Sequence, residues 1–179
     1  NRGQRVGKSY MYFESGSIKV ETSFQNGLGN RKEQEYNANE QLVAVRNFVN
    51  QDPSGTWLSY HETGQLASEE IYVSGQLHGD IKRYSSTGQL MAKETYVYGK
   101  GAGVWLTYYP SGQLAHSISY DKGNIYGPVV YYYENGKISE EGQLYLDMKI
   151  GIWKYYNKEG VLLKTETYQR GVLKDSKVY

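Results

Sequence analysis

The residues of this chain whose types support chemistry are three histidines, two pairs of adjacent glutamates and a scatter of serines in turns. His61, His78 and His116 are potential ligands or general bases, but a metal centre needs three or four donors converging on one point. With no cysteine in 179 residues nothing completes such a set, and thiol chemistry and disulfides are excluded with it. Glu69-Glu70 and Glu140-Glu141 call to mind two-carboxylate hydrolysis, which requires both groups across one cleft. Neighbours along a strand point to opposite sides, so the expected role of each is cross-strand pairing with a lysine or threonine. Ser15 and Ser111 each precede a glycine, yet no G-x-S-x-G elbow is present. The run GKGAG at 99–103 has neither the order of a phosphate loop nor a helix after it. The chain is therefore expected not to be an enzyme, with no catalytic residue, no metal site and no cofactor.

Composition narrows the class further. Lys and Arg total 20 against 19 Asp and Glu, a net charge of +1, so no long-range field draws in nucleic acid or an anionic membrane. Residues 1–54 carry seven basic and six acidic side chains, 55–150 seven and ten, and 151–179 six and three. The aromatic centre is thus acidic, which opposes a phosphate backbone. Only Lys154, Lys158, Lys164, Lys174 and Lys177 offer a basic surface to lipid, and their ordinary role is a charged end that keeps an edge strand from pairing. Tyrosine dominates the aromatics, 20 residues against 3 Phe and 3 Trp. Most large side chains therefore join an apolar ring to a hydroxyl, as half-wet sheets and binding faces require. A mean hydropathy of −0.70 with no apolar run near 18 residues leaves no membrane-spanning helix. The chain opens on Asn1 without a methionine, which reads as trimming or processing. Localisation stays open, with a bacterial periplasm or envelope favoured over cytoplasm if a leader was removed.

One period organises everything else. TGQL at 63–66, TGQL at 87–90 and SGQL at 111–114 lie 24 residues apart, and the same step reaches SGSI at 15–18, NEQL at 39–42, NGKI at 135–138 and EGVL at 159–162. Framed as 7–30, 31–54, 55–78, 79–102, 103–126, 127–150 and 151–174, seven repeats fill nearly the whole chain, and 1–179 reads as a single repeat domain. The sixth position is tyrosine in every copy: Tyr12, Tyr36, Tyr60, Tyr84, Tyr108, Tyr132 and Tyr156. The twelfth is Leu or Ile throughout, and the eighteenth is aromatic except at Leu144. Glycine opens six copies, returns mid-repeat in six, and appears a third time in five, at Gly27, Gly75, Gly99, Gly123 and Gly171. Glycines at fixed offsets read as turns that need positive φ, with Asn135-Gly136 a strong hairpin dipeptide. Between turns run VWLTYY at 104–109 and VVYYY at 129–133, β-branched and aromatic as strands are.

Each repeat is thus expected to be one β-hairpin, and the fold class all-β: an elongated single-sheet array of about seven 24-residue hairpins. The antiparallel meander would hold about fourteen strands, twisted or curved, roughly 65 Å long at about 4.8 Å per strand. Strand parity groups Leu106 with Tyr108, and Leu66 with Tyr72, so the tyrosine and leucine columns are expected on one face, a bulge being the one device that would flip them.

The pattern G-x-W-x-x-Y-x-x-x-G-x-L, present as GTWLSYHETGQL at 55–66 and GVWLTYYPSGQL at 103–114, resembles the MORN repeat. The spacing and the trailing EEIYVSG at 69–75 are similar to the bacterial variant of that repeat. The resemblance spans 7–174 and implies an elongated hairpin array without catalytic residues of its own. Eukaryotic members are linked to membrane attachment, lipid-headgroup contact and scaffolding, and bacterial members include antitoxin and immunity proteins that neutralise toxic effectors. Tryptophan fills its slot only at Trp57, Trp105 and Trp153, with Ser9, Glu33, Ile81 and Val129 elsewhere. The second copy departs furthest, with Arg31, Glu33, Glu40 and Gln51 where the motif has Gly, Trp, Gly and Gly. Two alternatives follow for 31–54: an irregular or partner-specific segment, or drift in a near-terminal repeat.

The resemblance and the missing chemistry together point to a non-enzymatic protein-binding repeat scaffold. Its most concrete form is a bacterial immunity or antitoxin protein that binds and blocks a toxic effector; the alternative is a membrane-surface or lipid-headgroup module. Tyrosine offers large area, few rotatable bonds and a polar tip to a partner. The residues expected to bind one are Trp57, Tyr60, His61, Tyr84, Trp105, Tyr108, Tyr109, Tyr132, Tyr133, Trp153 and Tyr156. The seventh position, Phe13, Asn37, His61, Ser85, Tyr109, Tyr133 and Asn157, varies as side chains released from packing do. On that basis Tyr108→Ala destabilises, whereas Tyr109→Ala leaves stability intact and weakens the complex. The expected partner is a protein, not nucleic acid; the oligomeric state is open.

Overall fold

The structure is a computed structural model and describes residues 6–25 and 29–179. Gly27, read above as a turn glycine, and Asn1 lie outside the described residues. Every described element is a β-strand. The chain divides into two compact units, 1–89 and 90–179, with the division in the middle of the fourth repeat.

The first unit holds β1 (Gly7–Tyr12), β2 (Ile18–Phe24), β3 (Arg31–Tyr36), β4 (Leu42–Val49), β5 (Asp52–Pro53), β6 (Gly55–Tyr60), β7 (Leu66–Val73), β8 (Gln76–Leu77) and β9 (Gly79–Tyr84). The second holds β10 (Leu90–Val97), β11 (Lys100–Tyr108), β12 (Leu114–Asp121), β13 (Asn124–Tyr132), β14 (Ile138–Tyr145), β15 (Met148–Tyr156), β16 (Leu162–Gln169) and β17 (Val172–Val178). Within each unit successive strands pair antiparallel, so the all-β meander expected from the period is the architecture that forms. The fourteen expected strands are all present. β5 and β8 are two-residue stubs whose equivalents are fused into β11, β13 and β15, and β17 adds a strand after the last hairpin.

Two irregularities recur and both follow from the repeat. In the first, the return strand carries one extra residue near the turn. Ser59 pairs with Ser68 and Tyr60 with Leu66, leaving Ala67 bulged; Lys19, Val43, Ala115, Ser139 and Leu163 do the same in their hairpins. One extra residue reverses which side every later side chain takes. The expectation that Leu66 and Tyr72 share a face is therefore wrong. Leu66 lies with Tyr60, while Tyr72 lies on the other side against Trp57, ring centroids 4.7 Å apart.

The second irregularity joins one repeat to the next. Lys93 pairs with Leu106 and Thr95 with Ala102, so Gly103, Val104 and Trp105 stand opposite Glu94 alone. Gly103 enters this loop at φ 65°, a conformation that disfavours any Cβ. The second repeat has Arg31 there, and β2 and β3 pair from Val20–Glu35 to Phe24–Arg31 without a shift. Losing the glycine has removed the bulge, and 31–54 is otherwise a regular hairpin: the irregular-segment alternative is not what forms. Glu40 and Gln51 adopt φ 60° and 74° in place of glycine. The Arg31 guanidinium stacks 3.8 Å from the Phe48 centroid and donates to Glu33 at 2.7 Å.

Burial is shallow. Among the described residues the buried hydrophobics are Ala44, Val45, Ile81, Val129 and Trp153, and no polar side chain is buried. Each unit is a sheet one layer thick, and its stability rests on interlocking between neighbouring repeats.

Candidate functional site

On one face the tryptophans are rungs between repeats. Each indole folds back over the preceding repeat, and its Nε1 donates to a backbone carbonyl ten residues earlier: Trp57 to Asn47 at 2.8 Å, Trp105 to Thr95 at 3.0 Å and Trp153 to Gln143 at 3.2 Å. Rings close in from both sides. Phe48 and Tyr72 lie 5.2 and 4.7 Å from Trp57, and Tyr96 and Tyr120 lie 5.0 and 4.0 Å from Trp105, distances at which aromatic pairs attract beyond their burial. Trp153 is 1% exposed, pressed on Gly142, with the Lys149 ammonium 3.9 Å from its ring centroid. In two of the four copies without tryptophan, Ile81 and Val129 fill the slot and are buried. Trp153, expected at the partner surface, packs inside the array.

The same face carries paired charge. The Tyr72, Tyr96 and Tyr168 hydroxyls donate to Glu70, Glu94 and Glu166, each two residues back on its own strand. Glu166 also accepts from Lys164 at 2.8 Å and Tyr155 at 2.7 Å. Those three bonds, Lys164 foremost, hold its carboxyl at about 2. Burial, then the Glu166 bond, pushes the Tyr155 phenol up; burial, then Glu70, raises Tyr72 to about 12. Neighbouring glutamates face opposite ways, Glu140 to Lys149 at 2.9 Å and Glu141 to Lys154 at 3.1 Å, as strand parity requires. In the first unit the small side chains Ala44, Ser59 and Ser68 floor a cleft of about 370 Å³ flanked by Arg46, Trp57 and Arg83. No group of three potential metal ligands gathers among the described residues.

The opposite face carries Tyr60, Tyr84, Tyr108, Tyr132 and Tyr156. Tyr60 pairs with Leu66, Tyr108 with Leu114, Tyr132 with Ile138 and Tyr156 with Leu162, giving alternating rings and branched aliphatics, all half-buried. The Tyr156 hydroxyl donates to Glu141 at 2.7 Å; burial, then this bond, raises it to about 12. The expected partner-binding set is thus not one surface. Its tryptophans and its tyrosines lie on opposite sides of the sheet.

The seventh position lies at the turn edge and is not released from packing, contrary to expectation. His61 Nε2 meets the Tyr84 carbonyl at 2.8 Å, and the Tyr109 and Tyr133 hydroxyls donate to the Tyr132 and Tyr156 carbonyls at 2.6 and 2.7 Å. Each side chain ties its turn to the invariant tyrosine of the next repeat. Short polar residues at the same position cap their own turn instead. Asn37 Oδ1 accepts from the Asn39 and Gln41 N–H groups, Ser85 Oγ from Thr87 and Gln89, and Asn157 Oδ1 from Glu159 and Val161. This column varies because a turn has two ways to be held. The signal in the sequence was size: the side chains either reach the next repeat or satisfy their own loop.

A repeat of this pattern has a counterpart among known protein families. The family described as MORN repeat variant matches six segments, 5–26, 53–74, 77–98, 103–122, 125–147 and 149–170. The chain belongs to the MORN repeat variant family. The unmatched stretch 27–52 contains most of the second repeat, where glycine and tryptophan are lost yet the MORN hairpin persists. Comparison with curated proteins gives no match. The MORN array as a whole is a repeat scaffold, and the face opposite its tryptophans, lined by half-buried tyrosine and leucine, is its candidate functional surface.

Proposed function

We propose that this MORN scaffold binds a protein partner, and more narrowly that it binds and blocks a toxic effector as bacterial immunity proteins of the family do. The observation that carries the reading is the thinness of the sheet. Aromatic and aliphatic columns stand half-buried on a face with no second layer among the described residues of either unit, and such surfaces mark interaction sites. The repeat-to-repeat ties through the tryptophans and the seventh position fix the face before any partner arrives, which lowers the ordering cost of association. The narrower identity follows from the resemblance of the repeat to the bacterial variant.

The test is inhibition. Each protein encoded beside this chain is expressed alone, any that proves toxic is titrated with the chain, and loss of its activity at one equivalent, with co-elution on size exclusion, is expected. An interface of the standard size, about 1,600 Å², supports sub-micromolar affinity. Undiminished effector activity in excess chain defeats the narrower identity. Salt-sensitive binding to anionic vesicles with no protein complex defeats the scaffold reading as well.

A further inference from the structure

Asn135-Gly136, read above as a hairpin dipeptide, also has a chemistry of its own. Asparagine is a labile side chain, and a following glycine leaves its own amide nitrogen unhindered by any Cβ. That nitrogen can lose its proton and bond to Asn135 Cγ. The Cγ–Nδ2 bond then breaks, ammonia leaves carrying the proton, and water opens the resulting succinimide to aspartate or isoaspartate. Glycine is present because the turn holds it at φ 81°, so the reactive pair comes with the hairpin. Asn39 occupies the same position of the second repeat, but Glu40 follows it and its side chain hinders the attack.

Every reacting group is engaged in the folded turn, although Asn135 and Gly136 are both exposed. The Gly136 N–H donates to the Tyr133 carbonyl at 2.9 Å. Asn135 Oδ1 accepts from the Lys137 N–H at 3.1 Å, and Nδ2 donates to the Lys158 carbonyl at 2.8 Å. The first two bonds lie within the turn, whereas the third crosses to the next repeat. It has company there: the Tyr133 hydroxyl donates to the Tyr156 carbonyl at 2.7 Å and Lys137 Nζ to the Glu159 carbonyl at 2.6 Å. Three side chains of one turn thus reach three carbonyls of the turn that follows. Thr63, at the position of Asn135 in the third repeat, makes the equivalent bond to the Ser86 carbonyl at 3.3 Å, so the contact belongs to the stacking of repeats.

We infer that Asn135 is a site of spontaneous deamidation, held unreactive by the docking of the seventh repeat on the sixth. Aspartate at this position loses the donor to Lys158 and sets a carboxylate against that carbonyl, and isoaspartate adds a backbone atom to the turn. Either product weakens the junction that restrained the reaction, so one opening of the turn leaves a lasting defect between the last two repeats. The inference is independent of the protein-binding reading.

The folded chain and a synthetic peptide of residues 123–137 are held side by side at neutral pH and body temperature. Mass spectrometry then follows the tryptic fragment 123–137, in which Asn124, followed by Ile125, is the internal reference. The peptide is expected to convert at Asn135 ahead of Asn124, and the folded chain at least about tenfold more slowly than the peptide, because its turn must first open. Tyr133→Phe, which removes the bond to Tyr156, should speed conversion of the folded chain about threefold or more. Trp57→Phe, in the first unit, should leave the rate unchanged, and the deamidated chain should melt below the parent. A peptide in which Asn135 reacts no faster than Asn124 overturns the site. Conversion of the folded chain at the peptide's rate, no acceleration with Tyr133→Phe, or equal acceleration by both variants overturns the restraint by docking. A deamidated chain that melts as the parent does overturns the weakened junction.

Discussion

Gly142 and Trp153 are the sharpest test of how the repeats interlock. A Cβ on Gly142 would lie 2.3, 2.4 and 2.7 Å from Trp153 Cδ2, Cε2 and Cγ, where ordinary contact begins at 3.4 Å. Gly142→Ala must therefore push the indole away by about 1 Å in a packed environment, lengthening a Nε1 bond already at 3.2 Å. Overpacking of this kind costs about 1–3 kcal/mol and the weakened hydrogen bond adds about 1 kcal/mol, so a loss of about 3 kcal/mol is expected. Trp153→Val alone empties a fully buried site, at about 3–4 kcal/mol. The preceding repeat shows the remedy: Ile118 faces Val129, which is 0% exposed. Gly142→Ile combined with Trp153→Val reproduces that pair and should fall within about 1.5 kcal/mol of the parent, less destabilised than either single change. The assay is urea unfolding, followed by circular dichroism, of the parent, Gly142→Ile, Trp153→Val and their combination, with Gly142→Ala measured beside them. Additive losses would refute the claim that the third and sixteenth positions interlock by volume.

Other consequences are as direct. Tyr109→Ala, expected from sequence to leave stability intact, should cost about 2 kcal/mol because it removes a half-buried ring and the bond to Tyr132. Tyr109→Asn should recover part of that loss by capping its own turn as Asn157 does, which thermal melts of the two variants compare. Leu146 holds φ 47° without a glycine or asparagine, so Leu146→Asn should stabilise by about 0.5–1 kcal/mol, read as a rise in Tm. Glu166 sits at about 2 in the folded chain against an ordinary 4.5. The unfolded state therefore binds its proton first, and the stability present above 4.5 is lost as pH falls toward 2. Glu166→Gln should flatten that acid limb in pH-dependent melts. Tyr72 and Tyr168, both raised to about 12, act at the other end, where stability is lost as pH rises from 10 through 12.

The hairpins and their turns were legible because tyrosine, leucine and glycine recur at fixed offsets, and a 24-residue unit leaves no room for a helix. The sidedness of Tyr72 was not legible. Ala67, Ala115 and Ser139 bulge without any glycine or proline to announce it, and the reversal they cause is invisible to parity. His61 and Tyr109 were misread for a related reason: variation was taken as freedom, although a hydrogen bond to a backbone carbonyl tolerates any donor long enough to reach it. Gly142 carried a signal that went unread, as a glycine in a strand where neighbouring repeats place Ile118 and Glu166.

The central claim is that a sheet one layer thick exists here to be covered by another protein. Calorimetric titration into this chain of whichever neighbouring gene product is toxic when expressed alone tests it most directly. One-to-one binding below micromolar Kd, with the negative heat-capacity change of apolar burial, is the predicted result. No heat and no complex, with either anionic vesicles taking the chain up or the chain turning over a substrate unaided, would contradict it.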